Sequence, residues 1–227
     1  MSVEENHIRF VATNSSGQVS ATYLRPKNAK WLLVFAHGAG AGIHHRFMET
    51  ASSKLADHGI ATFRFNFPYM ENGKKGPDPQ PILKKTIHSA VETASGLAGK
   101  LPILAGGKSL GGRMTSMAAS ENPLSGVRGI VFFGFPLHAP GRPSPDRADH
   151  LKDVKLPMLF LQGTRDTLAD LNFLKPVCQK LGNKATLHVV EGGDHSFHLP
   201  KSAGTSDDEV LSELAEIVSN WSDKLRG

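Results

Sequence analysis

Gly107-Lys108-Ser109-Leu110-Gly111 sets a serine between two glycines, directly after an apolar run and directly before a stretch with helical spacing. A serine held at so sharp a strand-to-helix turn stands exposed at the first turn of the helix, where free backbone N–H groups and the helix dipole favour negative charge. Small residues two positions to either side let strand and helix approach closely enough for the turn to form. A hydroxyl is a weak nucleophile, so this turn calls for a general base and a group to orient that base. Both types follow at the ends of later apolar runs: Asp166 in Gly163-Thr164-Arg165-Asp166, and His195 in Gly193-Asp194-His195-Ser196-Phe197. The chemistry this predicts is acyl transfer to water, with Ser109 attacking, His195 moving the proton and Asp166 fixing the imidazole.

Asp194 competes with Asp166 for the orienting role. An immediate neighbour rarely turns its carboxylate onto the next residue's imidazole, so Asp166 is expected there and Asp194 is expected to bond loop amides. The other histidines have plainer places: His58 and His88 on predicted helices, His7 and His188 on strands, His138 and His150 in a polar connection. The oxyanion of the tetrahedral intermediate needs two N–H donors. Leu110 follows the serine, and Ala39 lies in the glycine-rich His37-Gly38-Ala39-Gly40-Ala41-Gly42 after the first apolar run; Gly38 is the next candidate.

Gly-Lys-Ser also suggests a phosphate-binding P-loop, but the earlier glycine of that motif would fall on Pro102. Gly38, Gly40 and Gly42 do not complete a dinucleotide fingerprint, since Ile43 or His45 occupies the last glycine position. His195 and His198 are three apart without a third ligand. The residues therefore imply no metal and no cofactor.

These groups must be positioned by strands. Apolar runs at Trp31–Ala36, Ala61–Phe67, Leu101–Ala105, Gly129–Phe133, Pro157–Gln162 and Thr186–Val190 each end at Gly, Pro or a Gly-containing turn, and their near-continuous hydrophobicity predicts strands covered on both faces. Between them, helical stripes run through Phe47–Leu55, Leu83–Ala98, Leu171–Leu181 and Val210–Leu225, the last opened by a Ser206/Glu209 capping box. Ile8–Ala12 and Val19–Leu24 flank Asn14-Ser15-Ser16-Gly17 and read as an antiparallel hairpin on the sheet edge. The fold class predicted is α/β, with a mostly parallel central sheet, helices on both faces and one domain over 1–227. In such a sheet ligands bind outside the carboxyl ends of the strands, where Ser109, Asp166 and His195 all fall.

Composition narrows the alternatives. With 39% hydrophobic and 21% charged residues the chain has the profile of a globular protein. The net charge of +5 comes from dispersed cations, nowhere denser than pairs such as Lys74-Lys75, so no nucleic-acid partner is expected. Met1–Phe10 lacks the basic start and hydrophobic stretch of an export signal, and runs such as Trp31–Ala36 are too short to span a bilayer. The lone Cys178 sits on an apolar helical stripe and reads as structural. A cytoplasmic monomer or small homo-oligomer with no membrane partner is expected.

Together, His37-Gly38-Ala39-Gly40, Arg64-Phe65-Asn66-Phe67-Pro68-Tyr69, Gly107-Lys108-Ser109-Leu110-Gly111-Gly112-Arg113 and Gly193-Asp194-His195-Ser196-Phe197 resemble the α/β-hydrolase superfamily over essentially the whole chain. The flavour is similar to the compact dienelactone-hydrolase-like branch, and within it to small hydrolases related to a histone-acetyltransferase-complex subunit of animals. Dienelactone hydrolase uses cysteine where this chain has Ser109, so lactone specificity does not carry over. The resemblance implies a carboxylesterase-like serine hydrolase acting on a small-molecule acyl substrate. A thioesterase, a peptidase or a non-catalytic interaction module on the same scaffold are the alternatives. Phe135–Lys155 is too short for a full cap, which implies an open pocket lined by Gly38, His44, His45, Phe67, Tyr69, Phe135, Leu137 and Phe197. Arg113, one turn beyond the serine, is placed either to bind a substrate carboxylate or to make a structural ion pair.

Overall fold

The computed structural model describes residues 3–139 and 141–226. Strands β1 (Val3–Thr13) and β2 (Gly17–Pro26) form the edge hairpin, and β2 pairs antiparallel with β4 (Ile60–Phe65). From there the sheet is parallel through β3 (Trp31–Ala36), β5 (Ile103–Lys108), β6 (Val127–Phe133), β7 (Met158–Gly163) and β8 (Ala185–Val190), in the order β1-β2-β4-β3-β5-β6-β7-β8. The helices are α1 (Arg46–Asp57), α2 (Pro68–Glu71), α3 (Gln80–Ala98), α4 (Leu110–Glu121), α5 (Leu171–Leu181) and α6 (Asp207–Asp223). None of the helices among the described residues is long and apolar enough to cross a membrane.

Strands β3, β4, β5 and β7 are buried along their whole length because helices cover both faces of the sheet. The alternation within β3 shows how. Trp31, Leu33 and Phe35 join the layer under α1 and α6, while Leu32, Val34 and Ala36 join the layer under α3 and α4. Further along the sheet, Phe132 and Phe160 pack with Leu174 and Cys178 of α5. Burial pushes the Cys178 thiol up to about 11, which keeps it an apolar filler. The Ser206/Glu209 capping box is present at the start of α6.

Several strand boundaries differ from expectation. The hairpin strands are longer at both ends, starting at Val3 and ending at Pro26, and β6 begins at Val127. Two further differences have a physical cause. β5 continues through Gly106 and Gly107 to Lys108, because these glycines answer close contact and not a turn: a Cβ on Gly106 would lie 2.0 Å from the Val131 carbonyl oxygen. β4 stops at Phe65, since Phe67 precedes Pro68 at the first position of α2 and is held extended there. The expected irregular connection after β6 also contains a 3-10 segment, Asp146–Asp153.

Strand order reverses beside β3. The chain goes outward from β3 to β4, returns to β5 on the other side and then continues in one direction. A crevice therefore opens between the carboxyl ends of β3 and β5, where Ala36 lies opposite Gly107.

Candidate active site

Ser109 stands at the end of β5 with φ 51° and ψ −115°, a conformation L-residues rarely adopt. Its neighbours hold the strain. A Cβ on Gly107 or on Gly111 would lie 2.4 Å from the Ala36 carbonyl oxygen, so only glycine admits the turn from β5 into α4 against the end of β3. The Ser109 N–H donates to Phe133 O at 3.1 Å and its carbonyl accepts from Arg113 N at 3.1 Å, pinning the backbone on both sides.

His195 starts far from this point. Its loop leaves β8, three strands from β5 and so roughly 14 Å away, and must cross the ends of β7 and β6. Glycines clear the route. A Cβ on Gly163 would sit 2.1 Å from Gly193 O, and one on Gly134 would sit 3.2 Å from His195 O. Asp194 stiffens the loop by accepting from Ser196 N at 2.7 Å and His198 N at 3.0 Å, which is the amide-bonding role expected of it. His198 pairs with Asp207 at 2.8 Å.

The crossing brings the imidazole to Ser109: His195 Nε2 lies 2.8 Å from Ser109 Oγ and His195 Nδ1 lies 2.7 Å from Asp166 Oδ2. The Asp166 side chain is fully buried. Its Oδ1 accepts from Leu168 N at 2.8 Å, and its Oδ2 also accepts from Gln162 Nε2. Gln162 is itself oriented, since its Oε1 accepts from Phe135 N at 2.9 Å. A carboxylate that also accepts from these other donors keeps the His195 proton on Nδ1 by accepting its hydrogen bond, leaving Nε2 as the acceptor that faces the serine hydroxyl. Gln162, which the sequence places only in a strand, thus orients Asp166; its signal is one amide inside an otherwise apolar run.

The glycine loop after β3 is clamped from β4 and α2. Arg64 Nη1 donates to Ile43 O at 3.0 Å, Asn66 Oδ1 accepts from Ile43 N at 3.0 Å, and the Tyr69 hydroxyl accepts from Gly40 N at 3.2 Å. Among the described residues neither Ala39 N nor Leu110 N donates to a protein acceptor. His37, fully buried, donates from Nδ1 to Gly38 O at 2.7 Å and accepts from Phe67 N at Nε2 at 3.1 Å. Burial lowers its pKa to about 4. The unfolded imidazole takes a proton near 6.5, so the stabilisation is complete above that pH and is lost as pH falls from 6.5 towards 4. We expect urea unfolding at pH 5 to show lower stability than at pH 7, by an amount on the order of 1–2 kcal/mol from this group. His150, which burial also lowers to about 4, adds to the same slope, so His37→Gln should reduce it and leave the His150 share; an unchanged slope would remove His37 as a cause.

Gly38, Ala39, Ser109 and His195 face a groove of about 300 Å³, and His45 and Phe47 form its other wall. A second cavity of about 130 Å³ adjoins it between the first turns of α1 and α6, sharing His45, Phe47 and Ser196 with the groove and reaching Leu211. The expected pocket residues divide. Gly38 and His45 line the groove. Phe67, Tyr69, Phe135, Leu137 and Phe197 are instead buried in the core, because apolar residues just past strand ends pack beneath the loops that carry the chemistry. His44 is exposed and pairs with Glu49 at 3.2 Å. Arg113 is half-buried with Arg147 as its charged neighbour, and its Nε has no protein acceptor among the described residues. The ion-pair alternative for Arg113 is thus not seen.

Residues 29–223 match the family described as the alpha/beta hydrolase domain. The chain belongs to the α/β hydrolases. The chain superposes on dienelactone hydrolase from Anabaena variabilis with a TM-score of 0.73 at 20% identity, covering 97% of each chain. A lidless a/b serine hydrolase from Xanthomonas campestris gives a TM-score of 0.74 at 18% identity over 96% of this chain and 95% of that one. At this identity the likeness is one of fold: the α/β-hydrolase sheet without a lid. Two curated proteins of Mycobacterium tuberculosis strains, whose names describe them provisionally as phosphoribosyl transferases, are 28% identical over 204 residues. The alignment takes in 86% of this chain but only 41% of those proteins, so the chain spans less than half the length of the curated relatives it matches.

Proposed function

We propose that the protein is a serine hydrolase that cleaves an ester-type bond of a small molecule through a Ser109–His195–Asp166 triad. The observation that carries this is the continuous hydrogen-bonded line from Ser109 Oγ through both ring nitrogens of His195 to the buried Asp166. As Ser109 Oγ attacks the carbonyl carbon, its proton passes to His195 Nε2, and Asp166 stabilises the imidazolium without taking the proton. The carbonyl oxygen becomes an anion held by the N–H groups of Leu110 and Ala39, which have no competing acceptor. Collapse of the intermediate breaks the ester C–O bond, and His195 hands its proton to the leaving alcohol. Water then enters, gives a proton to His195 and attacks the acyl-enzyme; return of that proton to Ser109 releases the acid. No step calls for a metal or cofactor.

The open groove and the cavity behind Phe47 favour a small ester with a short, unbranched apolar group seated against Phe47 and Leu211. Esterases are among the proteins sharing this fold. The phosphoribosyl transferase name belongs to proteins more than twice as long as the segment this chain matches, and such transfer has no use for an acyl-enzyme serine.

A fluorophosphonate probe tests the reading directly. Wild-type protein should take one equivalent, located at Ser109 by peptide mass spectrometry, and Ser109→Ala should take none. A folded wild-type protein that resists the probe would favour an interaction module on a hydrolase scaffold.

A further inference from the structure

Lys108 precedes the nucleophile and is only 8% exposed. Its Nζ donates to the carbonyl oxygen of His195 at 2.6 Å and lies 5.6 Å and 5.9 Å from the ring centroids of Phe47 and Phe197. Burying an ammonium costs several kcal/mol unless it is well paired, and among the described residues no carboxylate lies within ion-pair distance of this one. A leucine or methionine would fill the same space more cheaply. The cation therefore sits here at a cost to stability, and the atom it holds belongs to the residue whose ring must bridge Ser109 and Asp166. The surroundings are shaped for the contact. Gly134, at φ 72°, leaves room where a Cβ would lie 3.2 Å from both Nζ and the His195 carbonyl oxygen, and Phe197 is kept at φ 68° and fully buried beside it.

We infer that Lys108 is a positioning residue: by tying the His195 carbonyl to the end of β5, it holds the imidazole of a loop reaching across from β8 at hydrogen-bond distance from Ser109. This rests on the hydrolase reading. The titratable groups around it are Asp166 beyond β7, Asp194 and His195 beyond β8, and His45 at the start of α1. Burial brings the ammonium down to about 8, so the charge-assisted bond weakens as pH rises past that point.

The test compares wild type, Lys108→Met and Lys108→Arg in p-nitrophenyl acetate hydrolysis from pH 6 to pH 10, with fluorophosphonate labelling of each. Lys108→Met should lose about 10- to 100-fold in kcat with KM within about threefold, as expected for a catalytic group displaced without loss of binding. Lys108→Arg, which keeps a cation and a donor, should recover most of that loss. The wild-type rate should decline above about pH 8, and Lys108→Arg should hold its rate to pH 10. Lys108→Met within twofold of wild type, or Met and Arg variants equally impaired, would overturn the inference. If Lys108→Met does not fold, the pH profiles decide: an alkaline decline unmoved in Lys108→Arg overturns it. Wild-type protein that takes no probe refutes the hydrolase reading and the lysine's role with it, whereas a labelled wild type with an unaffected Met variant refutes the lysine's role alone.

Discussion

Replacing His195 with alanine is expected to lower kcat for a p-nitrophenyl ester by about 10⁴- to 10⁶-fold, and adding Ser109→Ala to that variant should cost almost nothing more. The two groups make one event, because the serine attacks only as its proton leaves, so either deletion removes the whole acyl-enzyme route. What survives is the help that binding and the oxyanion donors give to direct attack by water. The fold should tolerate the change. The imidazole is 23% exposed and its ring nitrogens bond only to Ser109 and Asp166, while Asp166 keeps its bonds from Leu168 and Gln162. Steady-state rates with a thermal melt for each variant check this. If the double variant falls well below both singles, the two residues are acting independently and the shared proton transfer is wrong.

Asp166→Asn should lower kcat by about 10³- to 10⁴-fold and also destabilise the protein. The carboxylate accepts from His195 Nδ1 and Gln162 Nε2 at one oxygen and from Leu168 N at the other. An amide cannot repeat this. With its NH₂ towards His195 it meets two donors and drives the ring to the wrong tautomer; with its NH₂ towards Leu168 it leaves a buried donor facing a donor, at a cost of about 1–3 kcal/mol. Asp194→Asn is the matched control, since the retained Oδ1 can still accept from Ser196 and His198. That variant should stay within a few-fold of wild type. Near-normal turnover in Asp166→Asn with collapse in Asp194→Asn would reassign the orienting acid.

Sequence pattern and tertiary structure part at certain glycines and aromatics. Gly106 and Gly107 read as the end of a strand, yet they belong to it, because the demand they satisfy comes from Val131 and Ala36 on neighbouring strands. Phe67 and Tyr69 read as pocket walls, yet they are buried and support the glycine loop after β3, through His37 and Gly40. An apolar residue beyond a strand end looks the same in sequence whether it faces a substrate or packs under a loop.

The amino-acid sequence by itself determined the sheet, the Ser109 turn and the places where Asp166 and His195 would emerge. Each of these is written in short-range pattern: runs buried on both faces, glycines two positions from a serine, polar residues just past strand ends. Only the tertiary structure decided that Lys108 holds His195, that Gln162 holds Asp166 and that Arg64, Asn66 and Tyr69 hold the glycine loop. Most of these contacts join residues tens of positions apart, and even the four-residue step from Gln162 to Asp166 turns off the end of a strand. Such contacts have no spacing rule, because they exist only once the loops have crossed the ends of neighbouring strands.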